Sequence, residues 1–205
     1  MKSSLGQPAL IVVDVQNDFV HPEGKIGRGG SDMTALLNAV AVINRLVSDA
    51  RAAGVPVIFV RVTHSPAVDN PAYRARYAAR GMVVDDLLCA DGTWGAELYS
   101  ELVPPAADEP VITKHAYDGF SVPDLATHLE KLNIDTVIVT GVVTELCVMG
   151  TVAGAFEHGF HVIVPSDAAG SVNPRASAAA LDLVSRFYGR VATAADIAAE
   201  FTAQS

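Results

Sequence analysis

Asp135–Phe156 read DTVIVTGVVTELCVMGTVAGAF, an apolar run that meets a glycine and then changes its period. Val137, Ile138 and Val139 are β-branched and unbroken by polar residues, the pattern of a strand covered on both faces. Beyond Gly141 the apolar positions Leu146, Val148, Val152, Ala155 and Phe156 fall on one side of a helix. Thr144 is a suitable N-cap, and Glu145 in the first turn suits the positive end of a helix. Cys147 then sits about three residues into the helix, beside amide N–H groups that lack an intrahelical partner. A thiol placed there ionises more readily, and the same N–H groups can hold a developing oxyanion. It reads equally well as a small apolar residue of a core helix, and this stretch alone leaves both readings open.

The rest of the chain supplies the context. Its 205 residues suffice for one domain, 1–205, with an ample core, and half of them are hydrophobic. Fourteen Lys and Arg stand against 23 Asp and Glu, a formal charge of −9 with no basic cluster, which argues against nucleic acid as a partner. The two cysteines, Cys89 and Cys147, are far apart and form no C-x-x-C, so neither a disulfide framework nor a cysteine zinc site is expected. The apolar run near the N-terminus is short for a signal peptide and Asp14 interrupts it; no stretch is long enough to span a membrane. The simplest expected compartment is the cytoplasm.

Working outward from the central unit, ALIVVDV (Ala9–Val15) is a second fully covered strand, followed by the polar group Gln16, Asn17 and Asp18 beside Phe19. The glycine-rich loop His21–Gly30 has neither G-x-G-x-x-G nor a Walker lysine, so it is not a phosphate cradle. Leu36, Val40, Ile43, Val47 and Ala50 mark a helix that starts near Ser31 and Asp32 and closes at Gly54. Strands are expected at Val55–Val62, Val111–Lys114, His161–Val164 and Arg190–Ala192, with helices at Ser121–Leu132, Pro174–Phe187 and Asp196–Phe201 and a loose tail after the last. Thr63–Asp91, carrying Tyr73, Tyr77, Arg74, Arg76 and Arg80, reads as a loop or short helices over a site. Strand and helix alternate, which predicts a three-layer α/β fold: a mostly parallel six-stranded sheet with helices on both faces and right-handed crossovers. Ligands bind such sheets at the carboxyl ends of the strands, where Asp14, Lys114 and the Gly141–Cys147 turn all fall.

The order DVQNDF (Asp14–Phe19), GTWGAEL (Gly92–Leu98), KHAYDGF (Lys114–Phe120) and TGVVTELCV (Thr140–Val148) resembles the isochorismatase-like cysteine hydrolases. That group includes nicotinamidases, N-carbamoylsarcosine amidohydrolase, and ureidoacrylate and biuret amidohydrolases. The resemblance runs from about Ala9 to Gly170. It implies the Rossmann-type fold just described and a catalytic set of Asp14 as proton shuttle, Lys114 as stabilising cation and Cys147 as nucleophile. It further implies a cis peptide between Val142 and Val143, with the N–H groups of Val143 and Cys147 as the oxyanion hole. The chemistry is coherent: a thiolate needs a base and nearby positive charge, and a leaving amine must be protonated. Phe19, His64, Trp94, Tyr117 and Phe120 are the candidate substrate-binding residues, and Cys89 is expected to be inert. Asp18 is read as a hydrogen-bonding partner of the local turn, and Gln16 as structural.

Two departures narrow the family's repertoire. Nicotinamidases carry Asp-x-His and a further His that bind a metal, whereas this chain has Val62-Thr63-His64. An imidazole without that carboxylate is a poor metal site, so neither metal nor other cofactor is expected. After the nucleophile, several ureido-cleaving members resemble C-V-E-x-T-x-R, whereas Cys147-Val148-Met149-Gly150-Thr151-Val152-Ala153 lacks the acidic and arginine positions. Arg61, Arg74, Arg76 or Arg80 remain as possible cations for a carboxylate-bearing substrate. The leading expectation is hydrolysis of a small-molecule amide, ureide or carbamoyl compound through a Cys147 thioester. Vinyl-ether hydrolysis of the isochorismate type and a non-catalytic binding protein are the alternatives. By resemblance, the assembly is a homodimer or homotetramer.

Overall fold

The computed structural model describes residues 6–83 and 86–202; the expected loose tail from 203 onward lies outside them. The strands are β1 (Pro8–Val13), β2 (Val57–Val62), β3 (Val111–Lys114), β4 (Thr136–Val142), β5 (His161–Pro165), β6 (Ala169–Gly170) and β7 (Gly189–Ala192). The sheet order is β3-β2-β1-β4-β5-β7, every neighbouring pair is parallel, and β6 pairs with the end of β4. All six expected strands are present. The seventh is the two-residue β6, too short to leave a periodic signal in the sequence.

Helices α1 (Asn17–Val20) and α2 (Lys25–Arg28) are single turns after β1, and the long α3 (Thr34–Ala52) follows. Next come α4 (Pro71–Ala78), α5 (Pro123–Lys131), α6 (Met149–Glu157), α7 (Pro174–Leu183) and α8 (Ala194–Thr202). The layers follow from the side-chain period of the strands. Along β1, Leu10 and Val12 join the core beneath Leu36, Ile43 and Val47 of α3 and Ile197 and Phe201 of α8. Ala9, Ile11 and Val13 point the other way, into a core with Leu125 and Leu129 of α5 and Val152 and Ala155 of α6. Both faces of β1 and β4 are covered, and every residue of the two strands is buried.

The chain departs from β1 in opposite directions: β2 and β3 lie on one side, β4, β5 and β7 on the other. The reversal between β1 and β4 is a topological switch point, where a crevice opens at the carboxyl ends of the strands. Two backbone features shape it. Asp14, the first residue after β1, adopts φ 54°, a left-handed conformation that aspartate tolerates better than most residues. Gly141 adopts φ 119° with the Val13 backbone so close that a Cβ there would overlap it. The two central strands therefore converge at their ends.

Candidate active site

Each candidate reactive group stands at the end of a strand. Asp14 follows β1, Lys114 ends β3, and Cys147 lies in the turn after β4. That turn differs from the expected helix start. Val143, not Thr144, is the N-cap, and Thr144–Val148 form a single wide π-turn before α6. The Val143 carbonyl accepts from both Leu146 N–H (3.0 Å) and Val148 N–H (3.3 Å), so the cap is made by backbone and Thr144 is not needed for it. The Val142–Val143 peptide is cis.

Lys114 Nζ donates to Asp14 Oδ2 (2.7 Å) and to the Ala116 carbonyl (2.8 Å), with both charged side chains fully buried. Asp14 Oδ1 is also buried and has no hydrogen-bond partner among the described residues. Cys147 lies within electrostatic range of both Asp14 and Lys114. Burial, partly opposed by Lys114, holds the Asp14 carboxyl above its ordinary range. Burial also works against the Lys114 charge, but the negative partners around it overcome this and raise its pKa. Burial, then the Asp14 charge, pushes the Cys147 thiol well up. Lys114 and Asp14 thus form a buried salt bridge beside a thiol whose ionisation burial disfavours, and Asp14 Oδ1 has no partner among the described residues.

Cys147 lines a cavity of about 170 Å3, smaller than the roughly 300–1,000 Å3 of most ligand pockets. Phe19, Tyr73, Tyr77 and Tyr117 form its aromatic wall; Val143, Glu145 and His64 also border it. The Tyr77 and Tyr117 hydroxyls meet at 3.4 Å. Tyr73 and Tyr77 both belong to α4, within the segment read as covering a site. A larger cleft of about 490 Å3 lies at the opposite, amino ends of β4 and β5, near Phe156, Tyr188 and Arg190, and neither cysteine borders it.

Of the five candidate substrate-binding residues, Phe19, His64 and Tyr117 line the cavity and two do not. Trp94 is 46% exposed and packs edge-on against His21, on the outer side of the turn after β1. Phe120 is buried on the α5–α6 side of the sheet against Phe160 and His158. Motif membership could not separate these cases, because an aromatic residue in such a block serves a core and a pocket equally well.

His64 holds a partner that the sequence did not reveal. Its Nδ1 lies 2.7 Å from Asp69 Oδ1, both side chains are buried, and its ring stacks on Tyr73 with centroids 4.3 Å apart. Burial outweighs the pull of Asp69 and keeps the imidazole pKa below its ordinary value. A neutral ring facing an acceptor-only carboxylate carries its proton on Nδ1, which leaves Nε2 as an acceptor. The nicotinamidase metal set does not fit here: Val62 replaces the carboxylate, and Asp69 is engaged as a hydrogen-bond partner of the imidazole.

Two polar residues hold the frame. The Gln16 amide accepts from Val62 N–H (2.9 Å) and donates to the carbonyls of Val62 and Ala96 (both 2.8 Å). Asp18 accepts from Lys25 N–H (3.1 Å), as a local turn partner, and also from Cys89 N–H (2.7 Å) across 71 residues. The Cys89 thiol is pushed up by burial and lies outside the cavity.

Comparison with known proteins finds relatives that span most of the chain. The Isochorismatase domain family matches residues 8–196. Ureidoacrylate amidohydrolase RutB of Pseudomonas syringae pv. syringae (strain B728a) is 31% identical over 208 residues, covering 96% of this chain and 84% of the relative. The protein of the same name from Serratia proteamaculans (strain 568) is 33% identical, covering 90% and 79%. Among solved structures, a cysteine hydrolase from Pseudomonas syringae pv. phaseolicola 1448A superposes with TM-score 0.85 at 27% identity, covering 97% of this chain and 94% of that one. N-carbamoylsarcosine amidase from Thermoplasma acidophilum gives TM-score 0.75 at 29% identity, covering 92% and 97%. With its motifs in order and the family matching nearly its whole length, the chain belongs to the isochorismatase family.

Proposed function

We propose that this protein is a cysteine-dependent hydrolase of the C–N bond of a small amide, ureide or carbamoyl compound. The observation that carries the reading is the sealed Asp14–Lys114 pair beside a thiol on a cavity wall. Burying an ion pair costs several kcal/mol per ion before the attraction is counted, so a fold seldom keeps one without a use for it. The relatives' names, ureidoacrylate amidohydrolase and N-carbamoylsarcosine amidase, support the same bond type.

In this reading Asp14 Oδ1 takes the Cys147 proton as the sulfur attacks the substrate carbonyl. The S–C bond forms, and the oxyanion is held by the N–H groups of Val143 and Cys147. The carbonyl re-forms as the C–N bond breaks, and Asp14 returns its proton to the departing nitrogen. Water, deprotonated by Asp14, then attacks the thioester and frees the acid and the thiol. Lys114 keeps the carboxylate in place and offsets negative charge through both halves.

Mass spectrometry of the intact protein, quenched soon after mixing with candidate amides, is the direct test. An acyl adduct on Cys147 is expected. Ammonia release with no adduct and with Cys147 replaceable would overturn the thioester route. An isochorismate-type vinyl-ether reaction would likewise proceed without Cys147.

A further inference from the structure

We infer that the substrate is a neutral or cationic compound with N–H donors and an apolar or aromatic body, and that substrates bearing a carboxylate are selected against. This deepens the hydrolase reading and rests on it. Among the described residues that border the cavity, the formal charge with no partner of opposite sign is negative. Glu145 accepts from Ser171 Oγ through Oε1 (2.9 Å), while its Oε2 is buried with no donor among the described residues. His64 Nε2 is also an acceptor, as its Nδ1 is spent on Asp69, and the Tyr77 and Tyr117 hydroxyls on the same wall lie 3.4 Å from each other. A carboxylate and an imidazole acceptor bordering a largely apolar space favour donors on the ligand.

Among the described residues, no cation borders the cavity to receive a carboxylate. Lys114 is committed to Asp14 and Ala116. Arg74 lies 3.5 Å from Asp69, and Arg61 donates to Thr113. Arg76 and Arg80 are exposed, and none of these four arginines borders the cavity. The remaining surface is aromatic and aliphatic: Phe19, Tyr73, Tyr77, Leu88, Leu146 and Val172. An anionic substrate would lose its hydration there and meet Glu145 rather than a counter-charge. The ureidoacrylate named for the relatives carries such a group, so the inference separates this chain from them.

The test uses three molecules of nearly one shape: benzamide, 4-(aminomethyl)benzamide and 4-carbamoylbenzoate. Calorimetric binding to the Cys147→Ala protein measures the charge preference without turnover, and ammonia release by the wild type measures it with turnover. The neutral and cationic amides should bind at least about tenfold more tightly than the anion, the size of effect that like-charge juxtaposition produces. Glu145→Gln, with its fold checked by circular dichroism, should narrow that gap. Equal or tighter binding of the benzoate overturns the inference, as does binding by none of the three or a gap unmoved in Glu145→Gln. Failure of the hydrolase reading shows separately, as selective binding without ammonia release from any amide.

Discussion

His64 and Asp69 form a buried hydrogen-bonded pair, Nδ1 to Oδ1 at 2.7 Å, on the wall of the cavity that holds Cys147. The carboxylate fixes the tautomer and aims the free nitrogen, a service that carboxylates perform for imidazoles in many sites. His64→Phe keeps a ring against Tyr73 and removes the acceptor. KM should rise about tenfold, with kcat changed much less, from one lost hydrogen bond to substrate. Steady-state kinetics on one good amide decides the matter: an unchanged KM means the imidazole only packs.

Cys147→Ser should lower turnover by at least roughly a thousandfold while the far-ultraviolet spectrum and melting temperature stay near wild type, because a hydroxyl is far less ionised than a thiol in the same place. Activity within tenfold of wild type would end the thioester mechanism. Its sensitivity follows from the site's balance, which already makes even the thiol hard to deprotonate.

The Asp14–Lys114 pair predicts a pattern in stability. Lys114→Met strands a buried carboxylate and should cost about 3–5 kcal/mol in denaturant unfolding. Adding Asp14→Asn to that variant removes the stranded charge and should recover most of the loss, with activity absent in both. A double variant no more stable than the single one would show that the two charges are not coupled in the way their 2.7 Å contact requires.

Alkylation offers a test of sign. Burial and Asp14 raise the Cys147 pKa, whereas Lys114 lowers it. Iodoacetamide should therefore react slowly at pH 7 and accelerate about tenfold per pH unit without levelling near the ordinary thiol range, since only the thiolate reacts. Removing Asp14 removes a raising influence. Asp14→Asn should thus shift the rate–pH curve to lower pH and speed alkylation at pH 8 even as it abolishes turnover. A shift to higher pH would mean that the carboxylate assists thiolate formation at rest.

Sequence conveyed the sheet, and the placing of Asp14, Lys114 and Cys147 at the carboxyl ends of its strands, because both rest on local signals: unbroken β-branched runs, and polar residues at their ends. What it withheld depended on distance. The Asp-x-His pattern puts a partner for His64 two residues upstream, where Val62 stands, while the carboxylate that reaches it lies five residues downstream across a loop. Asp18 reads as a local turn residue, and half of its role, the bond to Cys89, is invisible from its neighbours. Trp94 and Phe120 show the converse error, since residues near in sequence to site residues need not face the site. Thr144 illustrates a third limit: a good capping residue is bypassed when the backbone of Val143 closes the turn by itself.

The strand order carries a consequence for synthesis of the chain. β1 leaves the ribosome before β4, yet one of its flanks pairs with β4, with Pro8 opposite Thr136. Until that distant segment emerges, a wholly apolar ribbon has an open edge, the condition under which nascent chains aggregate or are held by chaperones. Pairing of β4 with β1 brings the 147 thiol to the 14 carboxylate in the same step, so the two side chains meet only once that distant pairing is made.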